Sequence, residues 1–174
     1  VVRFHRDSKE SNFSIRRQSE GVYAILSYLD YEKKHKRKHV EWEKRLKVIL
    51  DNFLRIQKAD GSFPRKFKDD FSIVDSTGGS TPSVTLPLVM AYKYFNDKRY
   101  LESAKRSANY LENEIISKSD YFSSTLDANC EDKEASLYAA TATYYLALVT
   151  KGSERLHYAE LCKKAAYFAL SWYY

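Results

Sequence analysis

Apolar residues recur with the period of an α-helix in six stretches, near residues 14–34, 39–58, 83–96, 98–117, 133–150 and 153–174. The second, fourth and sixth are amphipathic. Trp42, Leu46, Ile49, Leu50 and Phe53 fall on one face, as do Leu101, Ala104, Ala108, Leu111 and Ile115. Tyr158, Cys162, Ala165, Ala166 and Ala169 repeat the pattern, with Lys, Arg and Glu opposite. The first, third and fifth stretches contain long runs without charge, from Gly21 to Leu29, Ser76 to Tyr92 and Ala135 to Thr150. A helix without a charged face is expected to be buried all round. The pattern therefore predicts an all-α chain of consecutive αα-hairpins in which an inner and an outer helix alternate three times.

The outer helices also repeat in sequence. Trp42, Tyr100 and Tyr158 are evenly spaced, Leu46, Ala104 and Cys162 follow them in step, and so do Leu50, Ala108 and Ala166. The period is longer than that of tetratricopeptide or ankyrin repeats, which argues against those solenoids.

Connections alternate too. Those after inner helices are short, at Asn96-Asp97 and Lys151-Gly152-Ser153, whereas those before inner helices run over about 59–82 and 118–132. Long connections are commonly functional. Here they gather at the N-termini of the inner helices, whose free N–H groups and partial positive charge suit polar or anionic ligands. That rim is the expected functional face.

Inner helices ringed by outer ones, with long loops at one rim, resemble the α/α toroid of six-hairpin glycosidases, which some polysaccharide lyases and terpene cyclases share. The segment Gln57-Lys58-Ala59-Asp60-Gly61-Ser62-Phe63 is similar to a Q-x-x-D-G-S-W/F turn that recurs in toroid proteins, with Phe63 in place of the commoner Trp. The Gln amide can satisfy backbone groups, Asp-Gly makes the turn and the ring packs back. The resemblance implies a partial (α/α)6 toroid, a single helical-hairpin domain over residues 1–174 with about three hairpins of six. Such a half-ring is expected to pair with itself or with a missing C-terminal half. Val1 reads as a trimmed or mature start, and no signal peptide is recognisable.

Composition narrows the chemistry. Five glycines and three prolines in 174 residues argue against a turn-rich β fold. Fifteen tyrosines suit both cores and wet grooves. The net charge of +6 owes much to Lys33-Lys34-His35-Lys36-Arg37-Lys38-His39, which reads as the solvated end of a helix. No nucleic-acid module appears, and no nucleic-acid partner is expected. Cys130 and Cys162 form neither a zinc pattern nor a redox pair. His35 and His39 lack an accompanying Glu motif, so no metal or other cofactor is expected. No stretch is apolar enough to span a bilayer.

Glycoside hydrolysis usually needs two carboxyl groups, and the resemblance directs attention to the long loops. Asp75, Asp127 and Asp132 are the catalytic candidates. Glu20, preceded by Arg16, Arg17 and Gln18, stands at the start of the first inner helix. With Glu131, Glu134 and Tyr121 these form the substrate-binding set. The competing expectation is that Glu131 or Asp132 merely caps the fifth helix. Asp69 and Asp70 are further loop acids, but lack the third Asp of a terpene-synthase motif. The run Asp127-x-Asn129-x-Glu131 lacks the glycine and closing Glu of a calcium loop. The small residues of Thr77-Gly78-Gly79-Ser80-Thr81 would let a ligand approach the backbone, or would simply connect to a helix N-cap. The expected partner is a saccharide, with an acidic sugar favoured by Arg16, Arg17, Arg65, Lys66 and Lys68. The alternative is a non-catalytic helical scaffold for a glycan or protein.

Overall fold

In a computed structural model, residues 12–123 and 130–173 are described. Among them the chain forms six α-helices: α1 (Ile15–Lys34), α2 (Val40–Ile56), α3 (Thr81–Phe95), α4 (Lys98–Tyr110), α5 (Lys133–Val149) and α6 (Gly152–Leu170). A π-helical segment, Leu111–Ile116, extends α4, and a 3-10 turn, Ser171–Tyr173, extends α6. The helical periodicity thus marks six real helices. Their starts follow local chemistry. Ser14, Asp97 and Asp132 accept N–H bonds from Arg17, Arg99 and Glu134 at the heads of α1, α4 and α5. Asn96 ends α3 in the left-handed conformation at φ 56°.

A three-stranded antiparallel sheet adds a β component that the helical pattern does not predict. Strands β1 (Phe13–Ser14), β2 (Lys66–Phe67) and β3 (Ile73–Asp75) lie in that order. Phe13 pairs with Phe67 and Lys66 with Asp75, with a register shift at Lys66/Phe67. Strands this short carry no readable alternation. The sheet joins the chain just before α1 to the long connection between α2 and α3.

α3 is the centre of the packing. It touches α1 on one side, α5 on the other and α4 behind, while α5 packs most extensively on α6. Thr81 to Val89 are all buried. Small hydroxyls join the layers: Ser19 and Ser83 oxygens are 3.2 Å apart between α1 and α3, and Thr85 and Ser107 oxygens 2.9 Å apart between α3 and α4.

The expectation that all three uncharged helices are buried all round needs correction. Only α3 has an inner neighbour on each side. α5 exposes Leu137, Tyr144 and Leu148 by 44%, 51% and 48%, and α1 exposes Tyr23, Tyr28 and Tyr31. The repeat breaks at its first member for a related reason. Tyr100 and Tyr158 are buried, but Trp42 is half exposed, its ring tilted against those of Tyr28 and His39. α4 and α6 each reach a preceding outer helix, through Arg99–Asp51 at 3.3 Å and Lys105–Glu154 at 2.7 Å. No outer helix precedes α2 among the described residues.

The Gln57–Phe63 turn stitches α2 to α4. Gln57 Nε2 donates to the carbonyls of Gly61 (2.9 Å) and Ser103 (3.0 Å), and its Oε1 accepts from Ser103 Oγ (2.8 Å) and Arg106. Asp60 Oδ1 accepts from the amide and hydroxyl of Ser62. Gly61 sits at φ +88°, and a Cβ there would lie 2.2 Å from the Arg106 carbonyl oxygen. Phe63 is fully buried. The turn is therefore structural, as its residue types suggest.

Candidate functional site

The N-terminal halves of α1, α3 and α5 enclose a cleft of about 400 Å³. Glu20 and Tyr23 come from α1; Ser83, Leu86 and Pro87 from α3; Glu134, Leu137, Tyr138 and Thr141 from α5. On each helix these residues follow i, i+3, i+4 spacing, so each helix offers one face to the cleft.

Arg16 organises its polar end. Its Nε donates to Glu20 Oε1 at 2.8 Å and its Nη2 to Glu134 Oε2 at 2.6 Å. Two carboxylates from different helices thus share one guanidinium. The Tyr138 hydroxyl donates to Glu20 Oε1 at 2.9 Å, and the Arg16 guanidinium lies 5.6 Å from the Tyr138 ring centre. Arg17 approaches Glu20 Oε2 at 3.7 Å. Partial burial acts to raise the Glu20 pKa, but hydrogen bonds from Arg16 and Tyr138 and the charges of Arg16 and Arg17 outweigh it, and its carboxyl is held below the ordinary value. Glu20 is therefore an ionised group at neutral pH. Burial likewise pushes the Tyr138 hydroxyl up, and its bond to Glu20 adds to the effect.

The floor of the cleft has its own polar feature. Pro87 lies inside α3 rather than breaking it. It has no N–H to give the Ser83 carbonyl four residues earlier, so that carbonyl lacks its usual helical donor. Both residues line the cleft. Two carboxylates and a tyrosine hydroxyl thus converge on walls that are otherwise uncharged.

No protein-family model and no curated protein matches the chain. The site must be read from its geometry.

The remaining candidates are placed elsewhere. Asp75, on β3, accepts from Arg65 Nε at 2.7 Å and from the Thr77 amide at 2.9 Å, and Arg65 is itself buried. Burial acts to raise Asp75, but the Thr77 and Arg65 bonds hold its pKa low. Asp132 caps α5 through Oδ1, 2.8 Å from the Glu134 amide, and its Oδ2 accepts from Ser123 Oγ at 3.2 Å. Glu131 is exposed, in a bridge with Phe122. Tyr121 is buried against Phe168, with ring centres 4.2 Å apart, and burial pushes its hydroxyl up to about 12. Gln18 turns away from Glu20 and lines a smaller hollow with Phe13, Phe67 and Asp69. Asp70 shapes the β2–β3 turn by accepting from the Ser72 amide. Asp127 lies outside the described residues.

Gly79 also has a packing role. A Cβ on Gly79 would lie 2.8 Å from the Phe122 carbonyl oxygen and 2.9 Å from that of Ser123. This close approach is between the two long connections. Tyr138 and Tyr23 belong to the cleft, although neither stands in a motif or a charged cluster of the sequence. The signal was available, since Tyr138 lies four residues after Glu134 on the same helical face.

The basic run is not merely a solvated helix end. The buried Glu32 carboxylate accepts two bonds from Arg37 and stands 2.7 Å from His39 Nε2. The Arg37 hydrogen bonds, then the His39 bond, pull its pKa down to about 2. His35 Nδ1 faces the Tyr31 carbonyl at 2.9 Å. Among the described residues no three His, Cys, Asp or Glu side chains gather into a metal-binding group. Both cysteines are free thiols. No helix there is long and apolar enough to cross a membrane.

Proposed function

We propose that the chain is a sector of a glycosidase-like α/α toroid and that the α1–α3–α5 cleft is where it holds a saccharide. The reading rests on one observation above all: Glu20 and Glu134 converge on Arg16 beside Tyr138, on otherwise uncharged walls. Carboxylates and arginine are natural partners for sugar hydroxyls, and tyrosine rings for the apolar face of a pyranose. Glu20, kept ionised by its donors, takes the role of base or nucleophile, and Glu134, the more exposed of the pair, that of its acid partner. Asp75 and Asp132 drop to a structural role, because their oxygens are already committed to the backbone and to Arg65 or Ser123.

A second reading is favoured by the same guanidinium. One Arg16 holds both carboxylates in ion pairs at 2.8 and 2.6 Å, an arrangement that suits binding more than proton transfer. In that case the domain is a non-catalytic glycan-binding scaffold.

Saturation-transfer NMR against a panel of neutral and acidic oligosaccharides, with product analysis by chromatography, tests both. Binding with bond cleavage that Glu20→Gln and Glu134→Gln each abolish, while the circular dichroism stays unchanged, supports the enzyme. Binding without cleavage supports the scaffold. Absence of binding across the panel overturns the saccharide reading altogether.

A further inference from the structure

A second hollow, of about 620 Å³, lies along the C-terminal halves of the same three helices. Its lining continues the faces that form the carboxylate cleft. On α1, Glu20 and Tyr23 are followed by Ser27, Asp30 and Lys34; on α3, Pro87 is followed by Met90 and Lys93; on α5, Thr141 is followed by Tyr145. These steps of three and four residues set the two hollows end to end along the same helix faces, as a groove in two parts. From Glu20 to Lys34 it runs roughly 20 Å at the helical rise per residue. Such a length fits a chain of several sugars rather than one.

The two ends differ in charge. At the far end Lys33, Lys34 and Lys93 face a single carboxylate, Asp30, which is taken by Lys34 at 2.7 Å. Lys33 lies over the Tyr94 ring, 4.7 Å from its centre, and Lys93 at 6.0 Å from that of Tyr145. Neither Lys33 nor Lys93 has a carboxylate partner among the described residues. Lys33 also reaches the Tyr94 carbonyl at 3.5 Å, and two ammonium groups held beside aromatic rings in a concave surface attract an anion.

We propose that the groove takes an anionic oligosaccharide, with a carboxylate or sulfate of one sugar seated between Lys33 and Lys93 while another sugar occupies the Glu20–Glu134 cleft. The proposal rests on the saccharide reading above and narrows it to acidic chains bound along the whole inner face.

The test measures binding of the intact chain to immobilised oligogalacturonate, oligoalginate, chondroitin sulfate and heparin fragments, each beside its methyl-esterified or desulfated counterpart. The uronate and sulfate arms distinguish the two anions. The expected result is preference for at least one charged member over its neutral counterpart. The Lys33→Gln/Lys93→Gln double variant then loses roughly tenfold in affinity for it, and added salt weakens it in the same way. Circular dichroism verifies that the double variant is folded. Lys93→Arg, which keeps the charge, should retain most of the affinity. Equal binding of charged and neutral members, unchanged in the double variant, overturns this proposal and leaves the saccharide reading standing. No binding to any member overturns both.

Discussion

The Tyr138 hydroxyl donates to Glu20 Oε1 at 2.9 Å, tying α5 to α1 across 118 residues of chain. Neither residue belongs to a motif. Their meeting follows from α3, which holds α1 and α5 at a fixed distance on its two sides, and it gives the cleft a hydrogen-bonded bridge that pH and mutation can probe.

Glu20 should make stability pH-dependent. Its carboxyl has a lower pKa folded than unfolded, so its contribution is fully present above the ordinary glutamate value of about 4.3 and is lost as pH falls through the folded value. Urea titrations from pH 7 to pH 2.5 should show that loss in the wild type. Glu20→Gln should be less stable by about 1 kcal/mol at neutral pH and flatter across the acid window. A variant curve parallel to the wild type would discard the idea.

Gly61 and Gly152 offer a controlled contrast. Both have positive φ, +88° and +58°, but a side chain at Gly61 meets the Arg106 carbonyl, whereas nothing lies within 4 Å of one at Gly152. Gly152→Ala should cost about 1 kcal/mol, the strain of the conformation alone. Gly61→Ala should cost several times more, because the α2–α4 contact must open. Chemical denaturation of the two variants measures the difference, and similar costs would contradict the close-contact account.

Asp75 and Asp132 should behave as structural residues. Asp132→Ala removes a helix cap and should cost about 1 kcal/mol. Asp75→Ala takes a charged partner from the buried Arg65 and should cost about 3 kcal/mol. At temperatures where each variant remains folded, neither should change saccharide binding. Selective loss of binding with unchanged melting would restore them to the site.

The uncovered faces should promote association. Leu137, Tyr144 and Leu148 form an uncharged stripe on α5, and Tyr28, Tyr31 and Trp42 are exposed on α1 and α2. Sedimentation velocity should show reversible, concentration-dependent growth in mass, which Tyr144→Glu with Leu148→Glu abolishes. A single monomeric species over a hundredfold range of concentration would count against it.

Much of the local structure was legible in the residues. The period of Leu46, Leu50 and Phe53, or of Leu101, Ala104 and Ala108, is enough to place an amphipathic helix, since a one-sided apolar stripe has one economical way to leave water. Gln57, Asp60 and Gly61 announce their turn by chemistry alone. The β1–β2–β3 sheet was not legible, because strands of two or three residues leave no local pattern and β1 depends on a partner some fifty residues away in the chain.

The candidate site divides in the same way. The sequence by itself determined that acids and arginines cluster at the N-termini of the inner helices, because that is visible in Arg16, Glu20, Asp132 and Glu134 as a pattern of charge beside uncharged runs. Only the tertiary structure decided which acids share the cleft. Asp132 turned back to cap its own helix and Asp75 was taken by Arg65, while Glu20 and Glu134 met on Arg16. An uncharged run says that a helix avoids water, not on how many sides. α3 is covered on both sides and α5 on one, because burial depends on the number of neighbours, and neighbours are assigned by packing.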